Sequence, residues 1–135
     1  MTMTNQTIAE RAAYDLGVEV QDVSTADVTG NYVAMEGFNR VAAIAITDDL
    51  AADDAVSIQL VQAKDDSGTD VKDLGDAVSV TGTASTPEQL FAEAKVSDLD
   101  DDFTHVAVKV SATPDGGTTV NASAVMIRAD GSYRP

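Results

Sequence analysis

Apolar and polar residues alternate one by one through two stretches of this chain, and a period of two is the signature of a strand with one buried face. In "AVSIQLVQAK" (55–64), Val56, Ile58 and Leu60 point one way and Ser57 and Gln59 the other. In "THVAVKVSAT" (104–113), Val106, Val108 and Val110 share a face and Lys109 takes the opposite one. Around them lie other short strand-like runs: "NYVAM" (31–35), "DAVSVTGT" (76–83) and "TTVNASAVMIRAD" (118–130). "RVAAIAIT" (40–47) is apolar almost throughout and reads as a strand buried on both faces. Turns rich in Gly and Asp separate the runs, "DDSGTD" (65–70) and "PDGG" (114–117) among them, the second read as a hairpin turn. Seven or eight short strands at spacings of about ten residues predict an all-β chain, a single-domain β-sandwich or jelly roll over 31–135.

Two segments depart from that rhythm. "STPEQLF" (85–91) carries Thr86 as a cap, Pro87 at a first helical position and Gln89 completing a capping box, so it predicts one helical turn. Residues 1–30 predict an N-terminal arm or short helix: "TIAERAAYDLG" (7–17) ends at Gly17, and "VEVQDVSTADVTG" (18–30) reads as no more than a weak edge strand. The apolar Ile8, Tyr14, Leu16 and Val18 have no place in the strand alternation. They are therefore expected to leave the sandwich and contact another chain.

The chain has 135 residues, the size of one domain. Its apolar set is mostly Ala and Val, with no Trp, three Phe and three Tyr, which predicts a thin core of small side chains. Cysteine is absent, so disulfides, zinc thiolates and thiol nucleophiles are excluded. The first residues lack the basic and apolar regions of a signal peptide, and no apolar run approaches the ~18 residues of a membrane span.

Net charge is −15, from 23 acidic and 8 basic residues, and 18 of the acidic ones are aspartate. That sign argues against binding nucleic-acid phosphates or an anionic membrane. The aspartates are scattered rather than blocked, as in "TDDLAADD" (47–54), where Asp48, Asp49, Asp53 and Asp54 read as solvated turn residues. A folded domain acidic all over repels itself in ordinary salt, and the repulsion fades when molar salt shortens the Debye length to ~3 Å. The composition therefore predicts a protein adapted to brine.

Chemistry-bearing constellations are few. His105 is the lone histidine, on the solvent side of its strand, and no nucleophile elbow accompanies it. Counted from Asp65, the sixth and twelfth positions hold Asp70 and Asp76 where a calcium loop needs Gly and Glu. "DLDDD" (98–102) places Asp98, Asp100 and Asp102 at alternate positions, a weak metal candidate beside the reading as a solvated turn. No phosphate-binding glycine loop is present. The expectation is a protein without enzymatic activity or cofactor.

The order of phrases "NYVAMEGFNRVAAIAI", "AVSIQLVQAKDDSGTDVKDLGDAV", "VSDLDDDFTHVAVKV" and "MIRADGSYRP" resembles that of small structural proteins of tailed viruses, over about residues 31–135. The resemblance implies a β-sandwich virion component, a capsid decoration, turret or vertex protein, and no activity. With the acidic surface it implies a tailed virus of halophilic archaea, location on the capsid surface, and the major capsid protein and other virion proteins as partners. A head–tail connector or tail component, and a halophilic cell-surface binding module, are the competing readings. Self-association is expected, with Phe38, Phe103 and Tyr133 as contact candidates beside Ile8, Tyr14 and Leu16, since aromatics favour interface cores.

Dilution from molar salt to about 0.1 M, where the Debye length grows to ~10 Å, is expected to lower the melting temperature. Thermal melts across that range check this, and a melting point that holds or rises on dilution contradicts adaptation to brine.

Overall fold

The computed structural model describes residues 12–116 and 118–129. Its strands run in the order β1 (Ala12–Asp22), β2 (Val28–Thr29), β3 (Val33–Ala34), β4 (Arg40–Thr47), β5 (Ala55–Ala63), β6 (Lys72–Thr81), β7 (Gln89–Lys95), β8 (His105–Thr113) and β9 (Asn121–Ala129), with one 3-10 turn at Val96–Asp98. β5 pairs with β6, β4 with β7, β2 and β3 with β8, and β1 with β9, all antiparallel. Such nesting is what a single long hairpin produces when it is rolled up on itself. Two further ladders, β4 with β9 and β5 with β8, join the layers of the roll into sheets. The first sheet has the order β1-β9-β4-β7, and the second β2-β8-β5-β6 with β3 also on β8. With β2 and β3 counted as one interrupted strand, this is an eight-stranded jelly roll, the arrangement the strand spacing predicts.

Rolling forces most connections to cross between sheets. The turn at 64–71 is a true hairpin, between β5 and β6. "PDGG" does not close a hairpin: β8 and β9, which flank it, lie in different sheets. The helical turn expected over 85–91 is also replaced. Thr86 forms a bridge with Leu50, and Gln89 already begins β7. Leu90, Ala92 and Ala94 are buried at alternate positions against β4, and that pairing overrides the local capping signal.

The helix expected over 7–17 gives way to a strand from Ala12, where the description begins. β1 pairs along β9 from Ala12↔Ala129 to Asp22↔Asn121, and Val18 and Val23 are buried in the core. Irregularities at Leu16/Val18 and Val18/Gln21 break the period of two, which hides the strand from a reading of the sequence. Residues 12–29 thus belong to the sandwich instead of leaving it, whereas Ile8 lies outside the described residues. Gly30 lets β2 cross β1 closely: a Cβ there would stand 1.9 Å from the Gly17 carbonyl oxygen.

The core is graded by size. The inner face of the first sheet is built of Ala43, Ala45, Ala92, Ala94, Ala122 and Ala124, with Val41, Leu90 and Met126. Facing it are Val56, Ile58, Leu60, Val106, Val108 and Val110 of the second sheet. The thin core expected from composition is therefore a small-residue layer packed on a branched one.

One aspartate of "TDDLAADD" is not solvated. Asp54 is 1% exposed, and its Oδ1 accepts the Asp115 N–H at 2.7 Å, tying the β4–β5 crossover to the β8–β9 crossover. Its backbone carbonyl accepts the Gly82 N–H at 2.8 Å, which adds the β6–β7 crossover. Asp54 Oδ2 has no hydrogen-bond partner among the described residues. Asp54→Ala is expected to lose about 1–3 kcal/mol, the cost of an unmet buried donor, in chemical denaturation at molar salt. Asp54→Asn, which keeps an acceptor for Asp115, is expected to lose less.

Candidate interaction face

The first sheet turns its larger apolar side chains outward. Cross-strand register places Leu16, Val125, Ile44 and Phe91 in one row across all four strands. A second row holds Tyr14, Ile127, Ala42 and Glu93, and a third Ser123, Ile46 and Gln89. Leu16 is 55% exposed, Phe91 54%, Ile46 53%, Tyr14 48% and Val125 42%. "RVAAIAIT" is therefore buried on one face only, through Val41, Ala43, Ala45 and Thr47, and the expectation of two buried faces is corrected.

The outer face of the second sheet supplies the contrast. Two of its rows, Ser79–Ser57–Ser111 and Gln59–Lys109–Thr29, are the polar exterior of a half-buried sheet, and in the next, Asp73–Val61–Ala107, the apolar members are buried. On the apolar face the charges sit at the ends. Arg40 and Lys95 are a cross-strand pair at one end. At the other, Asp22 lies opposite Asn121, and the Asn121 amide donates to Asp48 Oδ2 at 3.0 Å. Glu93 is the one carboxylate within the three rows, and none of them carries an aspartate.

Of the expected contact residues, Tyr14 and Leu16 stand on this face. Phe38 and Phe103 are committed within the chain. Phe38 packs on the core beneath Arg128, whose guanidinium lies 4.8 Å from the ring. Arg128 also pairs with Asp15 at 3.1 Å and donates to the Ala34 carbonyl at 2.7 Å, so it ties β9 to β1 and β3. Phe103 is buried, with the ammonium groups of Lys64 and Lys72 5.6 and 4.9 Å from its ring centre. Tyr133 lies outside the described residues. Sequence reading missed Ile44, Ile46, Phe91, Val125 and Ile127. Ile44 and Ile46 lie in a run that reads as buried on both faces, Phe91 in a segment that reads as a helical turn, and Val125 and Ile127 in a strand whose sequence does not mark its faces.

The acidic turns do structural work. Asp98 accepts the Lys95 N–H at 3.1 Å, Asp100 pairs with Lys72 at 2.9 Å, and Asp102 holds a left-handed φ of 69°. No group of three potential metal-ligating side chains forms among the described residues, so these three are not gathered into one set. His105 Nδ1 lies 2.8 Å from the neighbouring Thr104 hydroxyl. A shallow cleft of about 170 Å³ where β1 crosses β2 is lined by one titratable residue, Glu19.

No protein-family model matches the chain, and no curated protein matches it. Solved structures do. A chain of infectious bursal disease virus, Gx strain, is 12% identical with a TM-score of 0.57, over 91% of this chain and 33% of that one. The VP2 subviral particle of the same virus gives 10% identity and a TM-score of 0.53, over 90% and 32%. The N-terminal cellulose-binding domain of Cellulomonas fimi β-1,4-glucanase C is 15% identical with a TM-score of 0.50, over 93% and 91%. This chain thus spans about a third of the virus chains it matches. At these identities the likeness establishes the sandwich fold.

In the β5–β6 turn, Asp65 accepts from the Thr69 hydroxyl at 2.6 Å, and from the Thr69 and Ser67 N–H groups. Those bonds, the hydroxyl first, hold its carboxyl below the usual carboxylate value. A lowered carboxyl stabilises the fold above its unfolded pKa, and the contribution is lost as pH falls through the folded one. Thr69→Val is expected to raise the Asp65 pKa and move that loss to higher pH, as read by NMR titration of the side-chain carboxyl.

Proposed function

We propose that this chain is a non-enzymatic structural protein of a virion, decorating or reinforcing the capsid of a tailed virus of halophilic archaea. The observation that carries the reading is the sidedness of its surface. Among the described residues the aspartates other than Asp15 lie in the turns, at the sheet ends and along β6, while one sheet face is apolar with charge confined mainly to its ends. Such a surface meets brine on most sides and a protein on one. Support comes from the likeness to chains of virus particles, which shares the fold, and from the sequence resemblance to structural proteins of tailed viruses. The major capsid protein and other virion proteins are the partners in this reading, and the outer surface of the capsid is its place. A head–tail connector or tail component satisfies the same surface and differs in copy number.

A carbohydrate-binding or cell-surface module is the second reading, favoured by exposed Tyr14 and Phe91 and by the likeness to a cellulose-binding domain. Those two rings stand on opposite edge strands, three strand spacings or roughly 14 Å apart. They do not form a continuous stacking platform, so this reading ranks lower.

Particles purified from the producing halophile by density gradient in molar salt are expected to contain the protein in many copies, placed on the shell by cryo-electron microscopy. Confinement to the portal vertex selects the connector. Its loss from the particle fraction, together with retention on cellulose or xylan beads, selects the binding module and overturns the proposal.

A further inference from the structure

We infer that the outer face of the first sheet is the contact between two copies of this chain, stacked sheet on sheet about a two-fold axis that runs along the Leu16–Val125–Ile44–Phe91 row. Three independent features point to a second copy in particular.

The first is volume. At the centre of this sheet the core-facing residues are small while large ones face out: Ala43, Ala45, Ala92 and Ala94 are buried, with Val41, Leu90 and Met126 beside them, whereas Ile46 and Phe91 are more than half exposed. A sheet with this much apolar bulk outside is built as a middle layer with another layer on it. The second is charge. Any partner as acidic as this chain is repelled elsewhere, and the three apolar rows hold a single carboxylate.

The third is self-complementarity. Arg40 lies four residues before Ile44 on β4, and Asp48 four residues after it. A two-fold axis along the Ile44 row reverses the strand direction of the second copy. It therefore sets Arg40 of each copy opposite Asp48 of the other. The same operation sets the Glu93 row against the row of Ser123, Ile46 and Gln89, which brings Glu93 opposite a neutral amide instead of a like charge. An axis parallel to the strands gives none of these matches. Isologous contacts of this kind close after two copies.

The area is sufficient. Four strands at ~4.8 Å and five registers at about 6.8 Å give a face of roughly 34 by 19 Å. That is about 650 Å² per copy, above the ~1,000 Å² total of a specific interface when both copies are counted. Aligned sheets pack about 10 Å apart at ~30°, which these side chains can fill.

The inference deepens the proposed function without standing on it, because oligomeric state is read in solution and virion incorporation in the particle. The full chain is measured by sedimentation equilibrium in molar salt, with melts to verify folding. Wild type is expected to be dimeric. Phe91→Asp and Val125→Asp, both at exposed positions, are expected to raise the dissociation constant at least ~30-fold, the loss of a buried hot spot, with melting of the monomer unchanged. Asp48→Lys is expected to weaken the dimer, and Arg40→Asp added to it is expected to restore association by exchanging the pair. A wild type that is monomeric at high concentration overturns the inference. So does a dimer indifferent to Phe91→Asp and Val125→Asp, or an Asp48→Lys defect that Arg40→Asp fails to rescue. A monomer that still joins virions removes the pairing and leaves the virion role, and a dimer missing from virions does the reverse.

Discussion

The alanine layer of the first sheet governs much of the rest. Six alanines leave room at the centre of the core, so the second sheet can approach with Val56, Ile58, Leu60 and Val108 and supply much of the bulk there, with Val18, Val41, Leu90 and Met126 of the first sheet around it. The first sheet is then free to spend its large side chains on its other face. The same choice makes Ala the common residue of the chain and keeps aromatics out of the sandwich centre. Phe103 and Phe38 stand at its periphery, each covered by cations of the chain's own.

Acidity has two layers of meaning in this fold. Most carboxylates act as a hydrated exterior whose mutual repulsion needs salt to be screened. Some also shape the backbone. Asp53, Asp70 and Asp102 occupy left-handed φ values of 72°, 57° and 69°, a region aspartate tolerates better than most residues. Asp22 and Asp65 each accept from donors two to four residues ahead and close their turns. Asp54 pins crossovers from the interior. Replacing aspartate wholesale with glutamate would keep the charge and lose these short-range bonds, which explains why the acid is of the shorter kind.

The strands at 55–63 and 105–113 are legible from their alternation, and 40–47 from its nearly continuous apolar run. β1 is not, because its irregular register scrambles the period and its pairing partner lies more than a hundred residues away. The capping signal at Thr86 and Pro87 was real as local chemistry, yet a strand with partners on β4 outweighs one helical turn. The connection from β8 to β9 resembles a hairpin turn in sequence, and only the assignment of the two strands to different sheets separates the readings. The candidate face was half visible. Tyr14 and Leu16 stand out because they fit no strand alternation, while Ile44 is hidden in a run that reads as buried on both faces and Phe91 in a segment that reads as a helical turn.

The reading of two buried faces fails for a reason that also fixes the register of β4. A slip by one residue would turn Ile44 and Ile46 inward and Ala43 and Ala45 outward. Both faces would remain apolar, so hydrophobicity alone does not forbid it. Volume does: two isoleucines against Ile58 and Leu60 would overfill a space sized for alanine, at a cost of order 1–3 kcal/mol for each strained site. Thr47 would also lose its place. Its hydroxyl accepts the Glu88 N–H at 2.9 Å and donates to the Asp48 carbonyl at 2.8 Å, which anchors the end of β4 to the start of β7. Paired on both sides, by β7 and β9, the strand would have to break two ladders at once to move. The apolar outer face is thus not a by-product of loose patterning but the consequence of a register that packing and pairing both enforce.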